Sequence, residues 1–240
     1  MSKVYADAIE PVEAGNDITL GAVGDTVTLA GNDLRVNTIK DSGGNTLMVS
    51  DGSGNVSNLN NAFAGDLKLL STQTGTGVDA ITFRSGIDST YKLYIFKFYD
   101  INPATDNSKF QFNGSYDGNQ FGVIHTSTYF DAQHTEAGGA AQLNYKTNHD
   151  AAQVTAWQTL GYELGNGSDE CLSGELQLFN PSNTTYVTHF TYRANYYLNV
   201  DQATSPFVAG YFNTTTAISA LSFRMNGGIF DGVIKMYGLG

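Results

Sequence analysis

Residues 90–99 read Thr90-Tyr91-Lys92-Leu93-Tyr94-Ile95-Phe96-Lys97-Phe98-Tyr99. Leu93 and Ile95 would share one face of a pleated strand and Tyr94, Phe96 and Phe98 the other, so a strand here is apolar on both sides. That is the pattern of a central strand in a sandwich or of one at a subunit interface. Aromatic and β-branched residues favour strand over helix, and Gly86-Ile87-Asp88 before the run and Asn102-Pro103 after it place its ends. Everything upstream reads as a stem, and everything downstream as a compact head built around this segment.

Working outward, the composition is that of short strands joined by tight turns: charged residues make up 15% of the 240, against 27 Gly, 14 Tyr and 14 Phe. With 23 acidic and 12 basic residues the net charge is -11, which repels a phosphate backbone, so no nucleic-acid partner is expected. No apolar run reaches the roughly 18 residues of a membrane-spanning helix, and Met1-Ser2-Lys3-Val4 leads into no apolar segment. Neither membrane insertion nor a signal peptide is expected. Cys171 stands alone, which excludes an internal disulfide framework and a multi-cysteine metal site.

Residues 1–88 repeat one theme, a few apolar residues followed by a Gly/Asn/Asp turn. Val27 and Leu29, Leu34 and Val36, and Leu47 and Val49 alternate in short strands, separated by turns such as Asp41-Ser42-Gly43-Gly44-Asn45 and Asp51-Gly52-Ser53-Gly54-Asn55. Strands so short and weakly apolar cannot build a core from one chain, because an isolated hairpin is marginal in water. The six residues just named are therefore expected to bury themselves against neighbouring copies, three chains about one axis being the simplest arrangement, or against a larger assembly. The same glycines do not form a phosphate loop, since no Gly-Lys-Ser/Thr ending follows. Asp51 to Asn55 resembles half of a calcium loop without its closing glutamate, which leaves turn chemistry.

Residues 89–240 read as an antiparallel β-sandwich of jelly-roll type. Tyr116-Asp117-Gly118-Asn119 marks a turn that should pair a strand around Phe110 and Phe112 with one over residues 121–130. A helical turn is expected near Asp150 to Ala156. Residues 171–179, 184–194, 207–212, 217–225 and 232–237 supply further strands, and the last should be paired inside a sheet.

The search for chemistry yields little. His125, His134, His149 and His189 lack the close spacing of zinc ligands, and no Gly-x-Ser-x-Gly elbow occurs. Asp131, Glu136, Asp150, Glu163, Asp169, Glu170 and Glu175 are the acids from which a glycoside-cleaving pair would be drawn. They read as solvated loop acids, and no catalytic residue, cofactor or metal is expected. Surface aromatics are the better clue: Trp157, Tyr186, Tyr192, Tyr196, Tyr197 and Tyr211 suit sugar faces or protein contacts.

Several short motifs then recur in a familiar order: residues 126–134 with Thr126-Ser127-Thr128-Tyr129-Phe130, Cys171-Leu172-Ser173-Gly174, Leu178-Phe179-Asn180-Pro181-Ser182, His189-Phe190 with Arg193, Ala209-Gly210-Tyr211-Phe212-Asn213, and residues 232–238. This set resembles a family of virion structural proteins of marine tailed bacteriophages, especially those infecting cyanobacteria. Residues 34–45 are similar to repeats of phage tail fibres. The resemblance implies a non-enzymatic virion component, a tail fibre, spike or head or tail decoration. Copies of itself, other virion proteins and a host-surface polysaccharide are the expected partners, with the head serving either host-surface binding or stabilisation of the particle. A polysaccharide-cleaving tail spike and a free carbohydrate-binding module are the alternatives.

Overall fold

The computed structural model describes residues 36–53, 55–57, 67–139 and 141–240, which fall into two compact units, Met1–Asn60 and Asn61–Gly240. Val27, Leu29 and Leu34 lie outside the described residues.

In the first unit β1 (Thr38–Lys40), β2 (Thr46–Ser50) and β3 (Val56–Ser57) form an antiparallel sheet in that order. Its two turns are built alike. The Asp41 carboxylate accepts hydrogen bonds from the Gly43 and Asn45 amides at 2.9 and 2.8 Å, and Asp51 accepts from Ser53 and Asn55 at 2.7 and 3.1 Å. These donors hold both carboxyls below their ordinary range, the Asn45 and Asn55 side chains contributing most. The calcium-like string is thus a self-capped turn, with Gly44 and Gly52 at φ 82° and 76° where other residues would be strained. None of the described residues of this unit is buried: Val36 is exposed, and Leu47 and Val49 are half-buried.

The second unit is all antiparallel β. Its strands are β4 (Leu67–Val78), β5 (Ala80–Phe83), β6 (Leu93–Pro103), β7 (Ser108–Ser115), β8 (His125–Thr135), β9 (Ala141–Tyr145), β10 (Ala151–Val154), β11 (Gln158–Leu164), β12 (Leu172–Phe179), β13 (Thr188–Leu198), β14 (Gln202–Phe212), β15 (Ala220–Met225) and β16 (Phe230–Leu239). A long sheet runs β4-β16-β6-β12-β13-β14-β8, with β9 and β10 both on the far edge of β8. A short sheet runs β11-β7-β15-β5 and joins the long one where Leu164 meets Leu198. Folded over each other, the two make a barrel-like sandwich.

The organising strand is β6, and it is central as expected, flanked by β16 and β12. Tyr94, Phe96 and Phe98 point into the core while Leu93 and Ile95 are half-buried on the other face. At Asp100 the backbone turns to φ 53° and the registers on both sides slip, so Ile101 rejoins the core out of alternation. From the short sheet Phe83, Phe110 and Phe223 meet these rings at centroid separations of 5.1–5.5 Å, and Phe112 packs on Phe190 at 5.0 Å.

Three expectations need correcting. The boundary at residue 88 falls inside the sandwich, because β4 pairs with β16 and β5 with β15. The turn at Asp117 forms, its carboxyl held down to about 2 by the Gln120 and Asn119 amides and the Ser115 hydroxyl, but it does not close a hairpin. Residues 116–124 instead carry the chain across the roughly 10 Å between sheets, and β7 pairs with β11 and β15 while β8 pairs in the long sheet. The helical turn at Asp150–Ala156 is β10, drawn into extended form by the open edge of β8 at His125 and Ser127.

Candidate functional site

Since side chains alternate along each strand, the register of the long sheet fixes which outward residues lie side by side. One outward row crosses Phe130 on β8, Phe207 on β14, Arg193 on β13 and Glu175 on β12; two residues along, the next crosses Thr128, Ala209, Thr191 and Gln177; a third crosses Thr126, Tyr211, His189 and Phe179. The middle row is small and polar, and its neighbours are bulky. The result is a groove across the strands, floored by Thr128, Ala209 and Thr191 and walled on one side by Phe130, Phe207 and Arg193 and on the other by Tyr211 and His189. It comprises two adjoining hollows of about 340 and 310 Å³ that share Thr191 and Ala209. With about 3.3 Å per residue along a strand, the wall rows stand roughly 13 Å apart, which leaves the width of one extended chain once the side chains are counted.

The walls are preorganised. Phe130 and Phe207 stack in parallel, 5.0 Å apart and 4° from coplanar, and the Arg193 guanidinium lies 5.0 Å over Phe207. His189 and Tyr211 face each other at 5.9 Å. Gln177 donates to Glu175 at 3.0 Å, and Glu175 pairs with Lys97 on β6 at 3.7 Å. Flat apolar faces beside hydroxyl, amide and guanidinium groups can take a sugar ring by stacking and by directed hydrogen bonds.

Of the aromatics singled out from sequence, Tyr211 stands in this groove. Tyr192 and Tyr196, 2% and 1% exposed, belong to the core and are corrected: both lie on the inward face of β13, and burial pushes their phenols well above the ordinary value. Trp157 is half-buried beneath the Arg224 guanidinium, 4.0 Å away, and beside Phe121. Tyr197 is half-buried, its hydroxyl bonded to Asp201 at 3.2 Å, and Tyr186 is exposed between β12 and β13. Sequence reading missed Phe130, Phe207 and Arg193. Alternation places Arg193 outward, but only the strand order shows that the three are neighbours.

The candidate acids are dispersed. Asp131 points into the core and Glu175 outward, on opposite faces of the sheet, so they cannot flank one bond. Asp150 accepts from the Tyr145 hydroxyl at 2.9 Å and Glu170 from the Gly167 amide at 2.6 Å. No cluster of three or more His, Cys, Asp or Glu suited to a metal occurs among the described residues.

Asp131 instead anchors a buried polar network. It accepts from the Tyr162 hydroxyl at 2.6 Å and lies 3.9 Å from the Lys146 ammonium; Tyr162 stacks on His149 at 4.4 Å; and Gln158 accepts from Ser127 at 2.6 Å while donating to the His149 carbonyl at 3.0 Å. The His125 and His149 imidazoles are held below the ordinary histidine value, chiefly by burial, and His149 reaches about 4 with Lys109 and Lys146 adding to the effect. An unfolded chain protonates these rings at about 6.5, before the native state does. Stability is therefore fully present above about pH 6.5 and lost as the pH falls towards 4, on the order of 2–3 kcal/mol for His149. Chemical denaturation between pH 7 and 4 should show this slope, and His149→Phe, which keeps the stack on Tyr162, should flatten it.

Comparison with protein-family models, curated proteins and solved structures returns no match. The described residues include no helix long and apolar enough to cross a membrane.

Proposed function

We propose that the chain is a non-enzymatic structural protein of a phage particle, of the tail-fibre, spike or decoration kind, whose sandwich holds host-surface polysaccharide in the groove across the long sheet. The groove carries this reading: aromatic walls, a floor of threonine hydroxyls and a wall-to-wall width suited to one glycan chain. The first unit supports the assembly half of the proposal. None of its described residues is buried in the single chain, so Leu47 and Val49 gain burial on joining other copies, a trimer being the simplest, or other virion proteins. The sequence motifs that resemble virion proteins point the same way.

Ala209 offers the test, because its side chain faces outward on the groove floor. Ala209→Trp fills the groove without entering the core. The expected result is a loss of at least about tenfold in binding to purified host envelope polysaccharide, roughly 1.4 kcal/mol, at an unchanged melting temperature and with no new reducing ends released by either protein. Equal binding by wild type and variant overturns the groove as the site, and release of reducing ends overturns the non-enzymatic reading.

A further inference from the structure

The row that forms one wall of the groove continues past Glu175 to Lys97 on β6 and Lys235 on β16, residue opposite residue. Arg193, Glu175, Lys97 and Lys235 thus stand on four adjacent strands. Three basic side chains share this row with one carboxylate, in a chain with 12 basic and 23 acidic residues. The outward row on one side is uncharged where it crosses these strands, at Gln177, Thr191, Ile95 and Tyr237. On the other side stand Asn195 and Ser173, with the exposed Asp100 of β6 donating its amide to the Ser173 hydroxyl at 3.2 Å and adding a second carboxylate beside the set.

Like charges directly opposite on neighbouring strands are destabilising, and Lys97 faces Lys235 in this way. Glu175, 3.7 Å from the Lys97 ammonium, offsets one of them, while Lys235 has the Tyr99 ring at 5.3 Å. The Arg193 guanidinium is exposed above Phe207 and keeps its hydrogen-bonding edge free for a planar anion. A ligand that places anions along the row would relieve the repulsion. Fields from the rest of the acidic surface fade over about 8 Å at physiological salt, so this local set governs what the groove meets.

We infer that the groove's ligand is an acidic polysaccharide, a sugar chain bearing carboxylate or sulfate groups, whose rings rest against Phe130 and Phe207 and whose anions meet Arg193, Lys97 and Lys235. This rests on the groove reading above and adds the charge class. Arg193 and Lys97 are two strand spacings apart, roughly 10 Å, so successive anions of one extended chain can reach both.

The test compares dextran with dextran sulfate, which share a backbone, on the full chain by calorimetry. Dextran sulfate should bind at least tenfold tighter, and raising the salt from 50 to 500 mM should remove most of that preference. Lys97→Gln/Lys235→Gln should remove it at low salt as well, whereas Lys109→Gln on the short sheet should not. Because both lysines are outward and mutually repulsive, the double variant should melt no lower than the wild type. Binding of both polymers alike, or a preference that survives the double variant, overturns the charge assignment and leaves the groove reading intact. Binding of neither overturns both. Equal affinity for polyglutamate or a single-stranded oligonucleotide would mark a general polyanion patch and overturn the polysaccharide as ligand.

Discussion

Phe223→Ala is expected to cost the sandwich about 3–5 kcal/mol and to lower its melting temperature by roughly 10 °C or more. Phe223 is fully buried on β15, and its ring contacts those of Phe83, Phe96, Phe98, Phe110 and Phe112 at centroid separations of 5.1–6.3 Å. Those partners come from both sheets, so the ring sits at the joint between β6 of the long sheet and β5, β7 and β15 of the short one. Truncation leaves a cavity lined by other rings, which are stiff and held by their own strands and cannot collapse into it. Phe130→Ala is the control: the ring is 39% exposed on the outer face, and its loss should change stability by under about 1 kcal/mol while weakening glycan binding. Guanidine denaturation of both variants, followed by tryptophan fluorescence at Trp157, separates the two. Equal losses would mean that the sheets are not joined through Phe223.

What could be read from the chain beforehand follows from this difference between faces. The alternation of Tyr94, Phe96 and Phe98 against Leu93 and Ile95 was legible because period-two patterning is local, and it named β6 as a central strand correctly. The same pattern misled where function was at stake. Tyr192 and Tyr196 read as spare aromatics, although the alternation that marks β13 also assigns them to its buried face. Pairing was not legible. Asp117 and Gly118 make the turn that the sequence announces, yet the strands on either side join different sheets, because a loop of nine residues permits a crossing as readily as a hairpin. The groove is a product of that non-local pairing. Phe130 and Phe207 are 77 residues apart and Arg193 and Lys97 are 96 apart, so no window on the sequence contains the wall they form.

Ending the chain at Gly228 should abolish cooperative folding of the sandwich. The lost segment is β16, which carries Phe230, Ile234 and Met236 into the core and is hydrogen-bonded along its length to β4 on one side and β6 on the other. Its removal would expose the backbone edge of β6 and the core faces of Phe96 and Phe98 beneath it. It would also leave β4, twelve residues with one lysine and no proline, without its partner in the sheet. An unpaired strand of that length and composition is a template for other chains, so aggregation is the expected consequence. Burial lost from three large side chains, at roughly 2–3 kcal/mol each, together with two ladders of hydrogen bonds, matches the whole stability of an ordinary domain. Far-ultraviolet circular dichroism and sedimentation of residues 1–228 decide the matter. A soluble protein with an intact β spectrum and a sharp melt would show that β16 is an addition to the fold, and that the apparent centrality of β6 does not depend on it.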